Sequence, residues 1–383
     1  MTSNQSVIEL IDGPRACDSF ELGPAMDVGT DVMRISRGRP PTWGRSWPHI
    51  FCEENRENIR IIKVNHQVVS TMAIFPTEVQ AGTVQGESIE LVVGGISGVA
   101  TYPEFRRRGF ASQLMHDCQA KMRTDGCDIA LLSTGIDNWY RGFGWERGAE
   151  AWTFEVDRGS VSYLPRLENT TQVEEITYNL SALARVVELH QQEVLGARRR
   201  PEHSVLLITR IGCRIYSASK NGRLQAYLVL RDNHVCEYCG QPSWVAGLIR
   251  TVFEELDDSS FSTTQIDERG LSLTLRMSIH TPPIDVGLGK LFYEQGLPHG
   301  RRYLGMIYIV NPQQLFEKIG VDVVVEKESV EGDGKSLLLR YDSHLLQMNQ
   351  RQLVKLIFGP ERSTSPLSNY FPLSFYQWPL DLV

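Results

Sequence analysis

From Arg106 to Ser112 the chain reads R-R-R-G-F-A-S, three guanidinium groups and a glycine between an apolar run and a helical one. That order suits a phosphate-bearing ligand. Pro103 ends the apolar run, and Gly109 lets the backbone approach a ligand closely or take a positive φ. A helix starting near Phe110 turns its unpaired N–H groups and the positive end of its dipole toward the loop, where a pyrophosphate is the natural occupant. Arg106, Arg107 and Arg108 add charge, although three consecutive side chains cannot all face one ligand.

The elements that must position this loop follow from hydrophobic spacing. Residues 60–75 read as a hairpin turning at Asn65-His66. A long strand follows at about 89–101, and Gly94, Gly95 and Gly98 within it indicate a bulge or a close backbone contact. Phe110, Leu114, Cys118 and Met122 recur every four residues, with Gln113, His116, Asp117 and Lys121 on the other face, which is an amphipathic helix. D-I-A-L-L-S (128–133) then reads as a buried parallel strand. Strand, helix and strand make a βαβ unit with a right-handed crossover.

At 383 residues the chain exceeds one ordinary core, and two or three domains are expected. A second unit echoes the first: a helix at Leu180–Val194, a hairpin turning at Asn221-Gly222, a strand at 234–239 and a helix from Val245 to Leu256. Where the first unit has R-R-R-G, the second has G-Q-P-S (240–243), so the echo lacks the phosphate loop. The last 80 residues begin with a helical stretch at Gln313–Ile319. A strand over V-D-V-V-V-E-K-E turns at Gly332-Asp333-Gly334 into S-L-L-L-R-Y, and a helix follows at Gln350–Phe358. The final fourteen residues, Y-F-P-L-S-F-Y-Q-W-P-L-D-L-V, hold five aromatics and two prolines. Such a tail is no helix, and it is too apolar to leave in water. It is expected to dock as an extended segment.

Composition narrows the function classes. A net charge of -7 argues against nucleic acid as a partner. No apolar run approaches the ~20 residues that span a bilayer, and the N-terminal residues do not read as a secretory signal. Seven thinly spread cysteines fit reduced thiols, so a cytoplasmic location and no membrane partner are expected. His234-x-Cys236-x-x-Cys239 has no second ligand pair, and strand alternation sends the two thiols to opposite faces, so no metal site is expected. Arg198-Arg199-Arg200 before Pro201 reads as a solvated turn, with a domain contact left open. His190 reads as surface or packing.

The pattern Arg106-x-x-Gly109-x-Ala111 at a strand-to-helix junction resembles the signature of GCN5-related N-acetyltransferases (GNAT). N-W-Y-R-G-F-G-W-E (138–146) is similar to their tyrosine-containing segment. The sequence of units resembles the Eis-like (enhanced intracellular survival) acetyltransferases. This resemblance implies an α/β (α+β) chain with a GNAT domain (1–155), a degenerate GNAT-like domain (156–303) and a small sterol-carrier-protein-like α+β domain (304–383). It implies acetyl-CoA as co-substrate, direct transfer to a primary amine of a cationic small molecule or lysine-like acceptor (small molecule or peptide), and a homo-oligomer, a hexamer in that family. The backbone of Val99, Ala100 and Thr101 would meet the pantetheine arm. Arg106, Arg107, Arg108, Gly109, Phe110, Ala111 and Ser112 would surround the pyrophosphate, and Gly135 and Ile136 would lie beside the cofactor. Tyr140 would be the general acid, and the carboxylate of Val383 a base or substrate anchor, although valine departs from the aromatic ending frequent in that family. A non-catalytic acyl-CoA-binding protein and a lipid-binding module are the other readings.

Overall fold

The computed structural model describes residues 9–193, 195–256, 276–282, 287–331, 334–360 and 364–382. The first half comprises β1 (Ile11–Ala16), α1 (Leu22–Met33), α2 (Trp43–Ser46), β2 (Ile59–Val64), β3 (Gln67–Gly82), β4 (Ser88–Thr101), α3 (Phe110–Thr124), β5 (Ile129–Leu132), α4 (Asp137–Arg141) and β6 (Glu146–Asp157). The second comprises β7 (Gln172–Glu175), α5 (Leu180–His190), β8 (Gly196–Arg198), α6 (Pro201–Ile208), β9 (Cys213–Lys220), β10 (Arg223–Arg231), β11 (His234–Gly240), α7 (Pro242–Glu255), β12 (Arg276–Thr281), α8 (Gly287–Glu294) and β13 (His299–Ile309). A C-terminal unit follows: α9 (Pro312–Ile319), β14 (Val323–Glu331), β15 (Gly334–Tyr341), β16 (His344–Asn349) and α10 (Gln350–Phe358).

Both halves share one sheet, ordered β1-β2-β3-β4-β5-β13-β6-β12-β11-β10-β9-β7, with β8 on the edge of β3. The order is nearly the same read from either end. Each half contributes a hairpin, an antiparallel third strand, a crossover helix and a parallel fourth strand, and the last strands have changed places. β13 pairs with β5 of the first half, and β6 pairs with β12 of the second. The two exchanged strands run antiparallel to each other from Phe154↔His299 to Glu146↔Ile307. The expected boundaries at 155/156 and 303/304 fall inside these strands.

Local chemistry explains the elements. Both hairpins turn at the expected pairs, Asn65-His66 (φ 49° and 71°) and Asn221-Gly222 (φ 52° and 75°), as two-residue turns require. The buried stripe of α3 packs on Ile62, Val69, Met72, Ile74 and Ile96, while α1 covers Ile59, Ile61 and Ala73 on the other face. In α10 the Asn349 side chain accepts from the Gln352 N–H (2.9 Å) and the Gln352 side chain accepts from the Asn349 N–H (2.8 Å), a capping box. The expected helix at 180–194 stops at His190. β16 has no counterpart among the expected elements. Residues 332–333 of the expected turn lie outside the described residues.

The tail docks as an extended segment. Phe371, Leu373, Phe375, Tyr376, Trp378 and Leu380 are all buried, Ser374 bridges to Gly82, and the Trp378 ring lies 4.7 Å from Tyr238. At about 1.5–3 kcal/mol for each large apolar side chain, these contacts hold the segment without regular structure.

Two readings need correction. Arg199 is no part of a solvated turn. It is buried, with Nη2 on Glu237 (2.5 Å) and Nε on Asp381 (2.6 Å). Its partners lie 38 and 182 residues away, so the local sequence carried no sign of them. Nor do Cys236 and Cys239 face opposite ways: the ladder steps from Val229↔Glu237 to Leu230↔Val235, and the extra residue in β11 resets the alternation. Both thiols join the cluster around Tyr227 and Val229, and burial pushes Cys236 up to about 11. His190 is buried with Nδ1 3.0 Å from the Tyr227 hydroxyl, which in turn donates to Glu237 (2.7 Å). Burial pushes the Glu237 carboxyl up, but the charges of Arg199 and His190 and the hydrogen bonds from Arg199 and Tyr227 outweigh it, and the net shift is downward.

Arg199→Met leaves two buried carboxylates without their cation and should cost about 3–5 kcal/mol of stability near neutral pH, measured by urea unfolding. Glu237 titrates lower in the folded state than unfolded, so its contribution is complete above the ordinary value of ~4.3 and is lost as the pH falls through the folded value. The difference between wild type and variant should therefore shrink in acid.

Candidate active site

The site begins with a defect in β4. Thr71↔Ala100 is followed by Ala73↔Ser97, so two steps on β3 face three on β4, and Gly98 sits in the bulge at φ 62°. A Cβ at Gly98 would come within 2.6 Å of Phe51 Cζ, which makes glycine necessary for both conformation and space. On the other side of β4 the parallel ladder to β5 runs only from Val93↔Ile129 to Gly95↔Leu131. On its opposite edge β5 stays paired with β13 from Ile129↔Ile309 through Leu132↔Met306. A wedge therefore opens between residues 96–101 and 132–136. Val99, Ala100 and Thr101 form one wall, and Ser70 Oγ holds it by bonding to Thr101 Oγ1 (2.7 Å) and the Ala100 carbonyl (3.2 Å). Gly135 and Ile136 stand on the other, where the Ile136 N–H donates to Thr134 Oγ1 (3.1 Å) and the Ile136 side chain is exposed.

At the end of the wedge the three arginines divide. Arg106 Nε donates to the Thr101 carbonyl (3.1 Å). Arg108 lies over the Phe105 and Phe110 rings (5.6 and 5.0 Å) and pairs with Glu9. Arg107 is held at φ 60°, exposed, its guanidinium without a partner among the described residues. Gly109 caps α3 at φ 80°, with no side-chain cap and no acidic residue in the first turn. Phe110 is buried, and Ala111 and Ser112 are half-buried, so this turn offers its backbone N–H groups. The result is a bare, positively polarised helix end beside one free guanidinium, a fit for the diphosphate of a coenzyme.

Tyr140 lies on α4, packed at 4.7 Å from Trp139 and 6.3 Å from Trp145. Ion pairs lock the helix: Arg147 with Asp137 (2.5 Å), Arg141 with Glu146 (3.0 Å) and Arg351 of α10 with Glu146 (2.8 Å). Burial pushes the Tyr140 hydroxyl above its usual value, against a smaller opposing hydrogen bond from Thr134. It therefore keeps its proton through neutral pH.

A cavity of about 650 Å³ opens on the far side of the bulge, lined by His49, Phe75, Arg199, His203 and Asp381 among others. It shares the 48–52 segment with the bulge through Phe51. Of these, the sequence singled out only Arg199, and as part of a turn, because the residues meet only through tertiary contacts. Val383 lies outside the described residues. Among the described residues no cluster of metal-ligating side chains occurs, and no helix is long and apolar enough to cross a membrane.

Residues 38–148 match the family model described as an acetyltransferase (GNAT) domain. The fold is the GNAT fold. Solved structures align over nearly the whole chain: a GCN5-related N-acetyltransferase from Anabaena variabilis (14% identity, TM-score 0.66, 98% of this chain and 100% of that one); Eis1 from Mycobacterium abscessus (11%, 0.63, 97% and 99%); and a probable N-acyltransferase from Enterococcus faecalis (14%, 0.61, 92% and 90%). No curated protein matches the chain.

Gly98→Ala should lose about 2–5 kcal/mol in urea unfolding, from left-handed strain and overpacking on Phe51 together. Gly86, at φ 84° with open space where a Cβ would go, supplies the control: Gly86→Ala should lose only about 1–2 kcal/mol, the strain alone.

Proposed function

We propose that this protein transfers the acetyl group of acetyl-CoA directly to a primary amine in a ternary complex. The observation that carries the reading is the wedge beside β4, ending at an uncapped helix and the free Arg107. The pyrophosphate would take the backbone N–H groups from Arg108 to Ser112 and the charge of Arg107, with Arg106 and Arg108 shaping the loop. The pantetheine arm would lie along Val99, Ala100 and Thr101, with Gly135 and Ile136 on its other side. Backbone N–H groups at the bulge would polarise the thioester carbonyl, as donors preset for a developing oxyanion.

Transfer needs a bond from the amine nitrogen to the carbonyl carbon, loss of the carbon–sulfur bond, and a proton for the departing thiolate. Tyr140 would donate that proton. In water a tyrosine near ~10 giving to a thiolate near ~8.5 is uphill by about 2 kcal/mol. The aromatic pocket raises Tyr140 further, so the transfer becomes favourable only where desolvation raises the departing thiol by more than it raises the tyrosine. The amine must arrive neutral, and after it attacks, its nitrogen gives up one proton, which balances the proton Tyr140 passes to the thiolate. His49 is a poor base for it, because burial first, then the charges of Arg210, His203 and Arg199, hold the imidazole down to about 3.

Release of free thiol from acetyl-CoA across a panel of primary amines tests the reading, and tight acetyl-CoA binding with no turnover on any amine would refute it. Tyr140→Phe should lower kcat by about 10²–10⁴-fold while leaving acetyl-CoA affinity within about twofold, a general-acid signature. Arg107→Gln should weaken CoA binding by about 0.5–2 kcal/mol and flatten its salt dependence, read by calorimetry at two ionic strengths.

A further inference from the structure

The inner wall of the cavity and the layer behind it hold buried nitrogens that lack partners, two of them on arginines. Three nitrogens are buried without a hydrogen bond: His49 Nδ1, Arg199 Nη1 and Arg210 Nε. The residues are only 3%, 9% and 5% exposed, and they come from three separate segments: after α2, before α6, and between α6 and β9. His49 and Arg199 line the cavity. Arg210 stands behind them, near enough that its charge is the largest influence on His49 after burial.

Arg210 is the unusual member. Arg199 is balanced by Glu237 and Asp381, which commits both nearby carboxylates. Arg210 has no carboxylate partner among the described residues, and its hydrogen bond runs from Nη1 to the Ser46 carbonyl (3.2 Å). Arg34 meets the same residue from the other side, Nη2 to Ser46 Oγ (3.1 Å), and lies over the Trp47 ring, again without a carboxylate. Burial pushes both guanidinium groups below their ordinary values, followed by the charges of Arg39 and Arg231 on Arg34 and of Arg231 on Arg210, where Asp381 pulls the other way by less. A buried cation without a counterion costs several kcal/mol, and each orphaned donor about 1–3 kcal/mol. A missing anion explains such a group.

We infer that this end of the cavity receives an acidic group, a carboxylate or a phosphate, carried by the amine acceptor. The amine half of the inference rests on the acetyl-transfer reading; the anion half does not. The cavity also carries the exposed carboxylates Glu54, Glu78 and Glu202, so it presents both signs of charge, as a zwitterionic acceptor requires. A diamine would bring a cation to unpaired arginines, and like charges there select against it.

The test titrates the protein by calorimetry with 5-aminopentanoate, O-phosphoethanolamine and 1,5-diaminopentane, and follows thiol release from acetyl-CoA with each. One of the two acidic amines should bind at least about tenfold more tightly than the diamine, which also tells carboxylate from phosphate. Arg210→Met should bring that ratio to within about twofold without lowering Tm, since it removes an unpaired buried charge. Arg34→Gln, on a half-buried residue, should reduce the same ratio and serves if Arg210→Met does not fold. A diamine bound as tightly as both acids, or a ratio unchanged in the variants, overturns the inference. Selective binding of an acidic amine with no thiol release from any amine would uphold the anion site and refute acetyl transfer. Thiol release with the diamine preferred would do the reverse.

Discussion

The pairing of β13 with both β5 and β6 is the constraint on which the rest of the molecule depends. It joins two halves into one sheet, since each half lends its last strand to the other. It also anchors one side of the wedge, because β5 stays paired with β13 through Leu132↔Met306 on one edge after its ladder to β4 on the other edge has stopped at Gly95↔Leu131. The Gly98 bulge turns β4 away from the other side. Backbone groups that a full ladder would consume are thereby left open, and the proposed cofactor would satisfy them.

A second constraint comes from the tail. Its aromatic side chains dock by apolar burial, and the Arg199 pairs with Glu237 and Asp381 then fix its end beside the cavity. One buried cation thus ties β11, the segment before α6 and the chain's last turn together. The contrast with Arg210 gives the cavity its character: two guanidinium groups at similar depth, one neutralised within the fold and one not.

Much of the fold was legible because its signals are local. The Asn65-His66 and Asn221-Gly222 turns, the four-residue stripe of α3, the capping signals of α10 and the apolar tail each depend on residues a few positions apart. The echo between the halves was visible as an order of elements. The exchange of β6 and β13 was not, because a strand's pattern shows which face is buried and not which strand lies beside it. Arg199 was misread for a related reason. Three arginines before a proline have the composition of a solvated turn, and only Glu237 and Asp381 make one of them a core residue. Cys236 and Cys239 were placed by strict alternation, which a single extra residue in β11 reverses.

For the proposed site, the residues themselves determined the charge and polarity of the loop: three adjacent arginines, a glycine and a helical stretch with no acidic residue in its first turn follow one another in the chain. The tertiary structure decided which arginine is free, since Arg108 turns to Phe105, Phe110 and Glu9, Arg106 turns to the Thr101 carbonyl, and Arg107 is left over. It also decided that Tyr140 is buried and holds its proton, and that Arg210 lies behind the wall that His49 and Arg199 form. Charge and helix polarity are properties of neighbouring residues and can be read in order. Burial and ion pairing belong to residues brought together from distant parts of the chain, and they exist only once the sheet has closed around them.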